Sequence, residues 1–225
     1  MTGDARTSRL PGRPRSQEVD VAVLTAALDL LIERGAGETS IERVSQRAGV
    51  TRATVYRRFP DKTALLIQAI ESVHRDHAPD ALEWPDVERM LDDWAVYLSD
   101  SRNRRMLRRL YGAVDDYPEL LRAYRGANGE RRAAAEHAAL RRSRERGHLP
   151  PDSDLAVLQE ILNGSVLHHL GSYPDTEDAG AIKAYFTAIL RQLGYRPPEL
   201  TGTPDADHGE HAAVSAKATG KPRRS

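Results

Sequence analysis

"TSIERVSQRAGVTRATVYRRFPDKTALL", residues 39–66, decides how the chain reads. Two short amphipathic segments meet at Ala48-Gly49-Val50. The first opens with a capping box, Thr39 with Glu42 three residues on, and carries Ile41, Val44 and Ala48 on one side. Gly49 ends it, and Thr51 caps the next segment. That second segment sets Val55 and Phe59 one helical turn apart, facing inward. Its other side gathers Arg52, Ala53, Thr54, Tyr56, Arg57 and Arg58. Lys62 then opens a further helix through Leu65, Leu66, Ala69 and Ile70. Two short helices joined by a glycine turn form a helix-turn-helix pattern. The second is too short to hold in water alone, so its neighbours must anchor it.

The free side suits a DNA major groove. Arginine bonds bidentately to guanine edges, and alanine or a threonine methyl meets the thymine methyl. The helix starts at Thr39-Ser40 and Asp61-Lys62 suit phosphate, because free amides and the helix dipole favour an anion. The chain has no net charge, with 33 basic and 33 acidic residues, but distribution decides. Between residues 39 and 62, Arg43, Arg47, Arg52, Arg57, Arg58 and Lys62 face only Glu42 and Asp61.

The remainder is helical in period. Residues 16–35 place Val19, Val23, Ala26, Ala27, Leu30 and Leu31 at three- and four-residue spacing, with Gly35 as the C-terminal cap. Beyond Trp84 the spacing predicts helices over 86–101, 104–115, 118–146, 154–172 and 178–193. No run alternates over strand length, so the expected fold class is all-α, with about nine helices. A basic arm over 1–16 is expected to be flexible, and Gly12-Arg13-Pro14-Arg15 leaves open an incidental arm or a minor-groove contact. A compact set of short helices is expected over 17–75 and a larger bundle over 82–196. Residues 197–225 have almost no large apolar side chains and are expected to be disordered.

Other chemistries find little support. Cysteine is absent, which excludes disulfides and thiol catalysis and fits a reducing cytoplasm. No apolar run approaches the ~20 residues of a membrane span. His74 with His77, and His168 with His169, lack a carboxylate-rich set around them, so no metal or other cofactor is expected. The basic run from Arg102 to Arg109 is expected to be a solvated face. No glycine-rich phosphate loop and no GxSxG turn appears, so no enzyme is expected.

The 39–66 segment resembles the DNA-binding domain of the TetR family of bacterial transcription regulators. The Thr-Ser start, the Ala-Gly-Val turn, the Thr-Val-Tyr core, Phe59 and the Asp-Lys-x-x-Leu-Leu opening carry the likeness. The resemblance implies phosphate contacts at Ser40, Tyr56 and Lys62, and base or backbone contacts at Arg52, Ala53 and Thr54, beside the cap Thr51. Arg58 stands where many members have histidine, and Arg57 where residues vary. It implies a homodimer on a double-stranded DNA operator, most simply a cytoplasmic repressor released by a small-molecule effector. An activator, a ligand-independent DNA binder, or a helical carrier or enzyme with a residual helix-turn-helix are the alternatives. The last two helices would dimerise through Leu158, Leu162, Ser165, Val166, His169, Tyr185 and Ile189. The middle helices would enclose the effector among Trp94, Tyr97, Met106, Leu110, Tyr111, Tyr124, Ile161 and His168.

Overall fold

The computed structural model describes residues 14–75 and 83–198. Most of the basic arm and of the C-terminal tail, with His77 of the His74–His77 pair, lies outside the described residues. The described residues form nine α-helices and no strand. They are α1 (Pro14–Arg34), α2 (Ile41–Arg47), α3 (Arg52–Tyr56), α4 (Lys62–Arg75) and α5 (Val87–Ser99). The rest are α6 (Ser101–Tyr111), α7 (Pro118–Glu145), α8 (Leu155–Ser172) and α9 (Ala179–Gln192).

Local chemistry sets the boundaries. Aspartates cap five helices: Asp61 for α4, Asp86 for α5, Asp100 for α6, Asp154 for α8 and Asp178 for α9. Each cap contributes about 1 kcal/mol by accepting from an otherwise unpaired amide. Asp100 corrects the start expected for α6, from residue 104 to Ser101. Two helices, α1 and α7, begin on a proline, Pro14 and Pro118, where a missing N–H costs nothing. The first of these starts inside the span expected to be a flexible arm. Gly35 stops α1 with φ 84°, and Gly49 turns the chain after α2 with φ 66°. Both angles are the left-handed region that glycine adopts without strain.

The capping of α2 differs from the expected box. Ser40, not Thr39, is the N-cap and accepts from Arg43 N at 3.2 Å. Thr39 is buried and donates to Gly35 O at 2.8 Å, tying the α1–α2 turn together.

Two cores result. In the first, Val23, Leu30 and Leu31 of α1 pack with Val44, Val55, Phe59, Leu65 and Ile70. Met106 and Leu110 of α6 and Leu120 of α7 join that same core. In the second, Met90, Leu91 and Trp94 of α5 pack with Leu140, Leu158, Leu162, Ile182, Phe186 and Leu190. α6 therefore faces both cores, with Leu107 turned into the second. α4 packs on α7, and α1 on α4 and α6. No helix of the described residues is long and apolar enough to cross a membrane.

Candidate nucleic-acid interface and cavity

α3 has only five residues, shorter than the stretch from Thr51 to Phe59, and a turn carries Arg57 and Arg58 back to Phe59. Thr51 caps it, accepting from Thr54 N at 3.2 Å, with the two threonine hydroxyls 2.9 Å apart. Val55 and Phe59 are buried in the first core. Arg52, Ala53 and Arg57 are exposed, Thr54 is half-buried, and Tyr56 is 51% exposed. A large aromatic ring is thus open to solvent beside two exposed arginines.

The structure divides the cations of this region. Arg47 makes a two-fold contact with Glu33 at 2.8 and 2.7 Å, and Arg43 bonds Glu38. Arg58 pairs with Asp20 of α1 and donates to Thr54 O. Expected on the DNA face, it here ties α3 to α1. Lys62, expected at a phosphate, is also engaged within the chain. Its ammonium donates to Ala36 O at 3.0 Å and Tyr117 Oη at 3.1 Å, and sits 4.8 Å over the Tyr117 ring. Asp61 already caps α4 through Ala64 N at 2.8 Å, so that helix start presents a carboxylate where an anion was expected. Among the described residues, Arg52 and Arg57 have no ion-pair partner.

These bonds assign Lys62 to the junction between α4 and α7. Lys62→Met is expected to leave the salt slope of DNA binding unchanged, read as log affinity against log salt. A slope reduced by about one would return Lys62 to a phosphate.

The basic run of α6 is not a solvated face. Arg102 pairs with Asp29 of α1, and Arg109 donates to Ile32 O and Glu33 O at the end of α1. On another side, Arg104 and Arg108 share Asp175 at 2.9 and 2.6 Å. Arg104 also donates to His169 O and Tyr173 O, and Arg108 to Leu170 O, at the end of α8. α6 thus supplies cations to the carbonyl ends of two helices, where the dipole is negative. Arg104 is 1% exposed and meets His169 Nδ1 at 2.9 Å. A guanidinium only donates, so Nδ1 accepts and the imidazole proton sits on Nε2. Nε2 lies 3.0 Å from Glu177 Oε2, outside hydrogen-bond geometry. Burial first, then Arg104, holds the His169 pKa below its ordinary value.

A cavity of about 570 Å³ opens between α5, α6, α7 and α8. Trp94, Tyr97, Tyr111 and Tyr124, all expected there, line it together with Leu98 and Leu107. The other residues expected there are elsewhere. Met106 and Leu110 are buried in the first core, because α6 turns that face toward α1. Ile161 and His168 are exposed on α8. Val166, expected at a dimer interface, lines the cavity instead.

The polar wall escapes sequence reading. Glu136 is 5% exposed and accepts from Gln159 Nε2 at 2.9 Å and Asn163 Nδ2 at 3.3 Å. Its only available signal is a lone acid in "RRAAAEHAAL", residues 131–140, spaced to fall beside Ala139 and Leu140. Burial pushes its carboxyl above the usual range. A raised folded pKa means stability that is full below the unfolded value and lost as pH rises through the folded one. Glu136→Gln is therefore expected to gain stability over the wild type as pH climbs from about 4 to 8, with the gap closing in acid. Thermal unfolding across that range reads it.

On α8 and α9 the residues expected at a dimer interface divide by burial. Leu158, Leu162 and His169 are buried inside their own chain, so they have no surface to offer. Ser165, Tyr185 and Ile189 are half-buried, and Tyr185 donates to Ser165 O at 3.4 Å. The exposed ridge of α8 is Val157, Ile161, Gly164, His168 and Gly171, at three- and four-residue spacing. Ala181, Ala184 and Ala188 form an exposed small-residue ridge on α9.

Two family models match the chain. A family model for "Bacterial regulatory proteins, tetR family" matches residues 23–69, and a "Tetracyclin repressor-like, C-terminal domain" model matches residues 84–189. The curated protein YdeS of Bacillus subtilis, an uncharacterized HTH-type transcriptional regulator, is 27% identical over 165 residues, which is 71% of this chain and 81% of YdeS. Among solved structures, the TetR family transcription regulator SCO0332 is 31% identical, with 80% of this chain and all of that one covered, at a TM-score of 0.50. NalD of Pseudomonas aeruginosa, the secondary repressor of the MexAB-OprM multidrug efflux pump, shares the fold at 20% identity and a TM-score of 0.56, over 80% and 98% of the two chains. The helix-turn-helix, the helical domain that follows it and these matches together make the chain a member of the TetR family of bacterial transcriptional regulators.

Proposed function

We propose that the chain is a homodimeric repressor whose grip on operator DNA is released by a small molecule in the α5–α8 cavity. The observation that carries it is the pairing of a solvent-open face on α3 with an aromatic cavity joined to α1 through α6. Arg52, Ala53, Thr54, Tyr56 and Arg57 would meet the major groove, with Ser40 and Thr51 at the helix starts near the backbone. A ligand that prefers the DNA-incompetent geometry shifts the population toward it. Leu107 and Tyr111 put α6 in the cavity wall, and Arg102 and Arg109 on the same helix hold α1. Movement of α6 therefore reaches the support of α3. The repressor role has its parallel in NalD, of the same fold.

A single helix-turn-helix makes few base contacts, and a dimer places two recognition helices on half-sites about 34–36 Å apart. The exposed ridge of Val157, Ile161 and Gly164 on α8, and that of Ala184 and Ala188 on α9, suit close helix packing against a second copy. Ile161→Asp is expected to turn dimers into monomers in sedimentation and to lower operator affinity with them. The function itself is tested by binding to DNA flanking the coding region across a salt series. Specific binding with a steep salt slope supports the regulator, and absence of binding to any natural site favours a carrier with a residual helix-turn-helix.

A further inference from the structure

We propose that the cavity takes an organic cation: an amphipathic amine whose ammonium pairs with Glu136 and whose body brings an oxygen acceptor to the Trp94 indole N–H. This rests on the reading of the cavity as the effector site, and it names the chemistry that site selects.

Two groups in the wall point to such a ligand independently. Glu136 is almost wholly buried, yet only Oε2 accepts hydrogen bonds. The nearest cation to Oε1 is Arg132 Nε at 4.0 Å, too long for a hydrogen bond. The carboxylate thus keeps acceptor capacity inside the cavity wall. Burial raises its pKa, and an ammonium beside it would lower it again, so ion-pair formation and ionisation favour each other. Trp94 is 5% exposed, and its Nε1 has no hydrogen-bond partner. That N–H is sealed from solvent, and an N–H without an acceptor is a standing cost that a ligand oxygen removes once the wall shifts to admit it.

The two arginines of the wall do not reverse the sign. Arg132, half-buried, stacks on Tyr97 at 5.6 Å, and Arg125, exposed, on Tyr111 at 5.7 Å. The tyrosine faces already bind cations there, which is what they would do for an ammonium. A ligand carboxylate that reached the buried end would meet Glu136 at close range, and like charges in a dry wall repel strongly.

Three probes of one body separate the head groups: N-(4-aminobutyl)benzamide, N-(4-hydroxybutyl)benzamide and 4-benzamidobutanoate. Each is titrated calorimetrically into the full-length protein, and each is added to the protein–operator complex. The amine is expected to bind at least about tenfold tighter than the carboxylate, as a charge-assisted bond to a buried partner requires. Glu136→Gln, of the same shape, is expected to remove that preference while changing the alcohol by less than about twofold. Trp94→Phe is expected to weaken all three by about three- to tenfold, since all carry the amide oxygen.

Equal or tighter binding of the carboxylate overturns the inference. So does an amine affinity untouched by Glu136→Gln, or binding by none of the three. The operator arm separates the two readings. A head-group-blind release of DNA keeps the effector site and sinks the cation. An amine held through Glu136 with operator affinity unchanged keeps the cation and sinks effector control.

Discussion

Arg104→Met is expected to lower the unfolding free energy by about 2–4 kcal/mol, because two acceptors lose their only donor at about 1–3 kcal/mol each. Arg104 is fully buried and bonds Asp175 Oδ1, His169 Nδ1 and the carbonyls of His169 and Tyr173. Methionine matches its length but leaves His169 Nδ1 and the Tyr173 carbonyl without a donor, while the His169 carbonyl keeps Tyr173 N. Arg108 still reaches Asp175, so the aspartate is not abandoned, and the cost falls mainly on the end of α8. Urea unfolding at pH 7.5 reads the difference, and a change below about 1 kcal/mol would show that the cluster is not holding α6 to α8.

The same cluster gives the wild type an acid edge. His169 has a folded pKa below its ordinary 6.5, so the unfolded chain takes the proton first. Stability is therefore present above that value and falls as pH drops below it. Asp175 is held at about 2 by Arg108 and Arg104, against 3.8 unperturbed, so its contribution is lost between those values.

The second large effect is expected at Phe59. Phe59→Ala removes a buried ring and should cost about 3–5 kcal/mol. The consequence is local before it is global. α3 is five residues long and is held by Val55 and Phe59 within the first core. Without the ring, the turn that carries Arg57 loses its footing, and operator binding should fail at temperatures where α5–α9 remain folded. Phe59→Leu keeps most of the apolar volume and should restore much of the affinity. Operator affinity beside helical circular dichroism checks both variants. Wild-type affinity in Phe59→Ala would show that α3 is positioned by something else.

The recognition module is legible in the sequence because its signals are local. Glycine turns, the Thr51 cap and the Val55–Phe59 spacing all lie within a few residues. Where long cationic side chains end up is not legible. Arg58 meets Asp20, Lys62 meets Tyr117, and Arg104 meets Asp175, each far along the chain. Nothing in local spacing tells a DNA-facing arginine from one closing a distant helix end, and Arg104 and Asp175 are separated by 71 positions.

Helix faces are ambiguous for a related reason. α8 is apolar nearly all round, so periodicity cannot choose between Leu158–Leu162 and Val157–Ile161, one position apart. The first pair lies in the core and the second on the surface. Met106 and Leu110 are apolar as a core requires, but α6 serves two cores and its spacing does not say which. The aromatic cavity residues are easier, because four large rings clustered on consecutive helices need one shared space.

The division of cations on α3 is open to one direct measurement. A preferred DNA site is selected from a random pool with the wild-type protein, and its affinity is compared with that of the Arg52→Ala, Arg57→Ala double variant. With both free arginines on the groove, affinity for the selected site should fall by at least about tenfold, with preference relaxed at the bases they face. Unchanged affinity and unchanged preference in the double variant would contradict the assignment of this face to DNA.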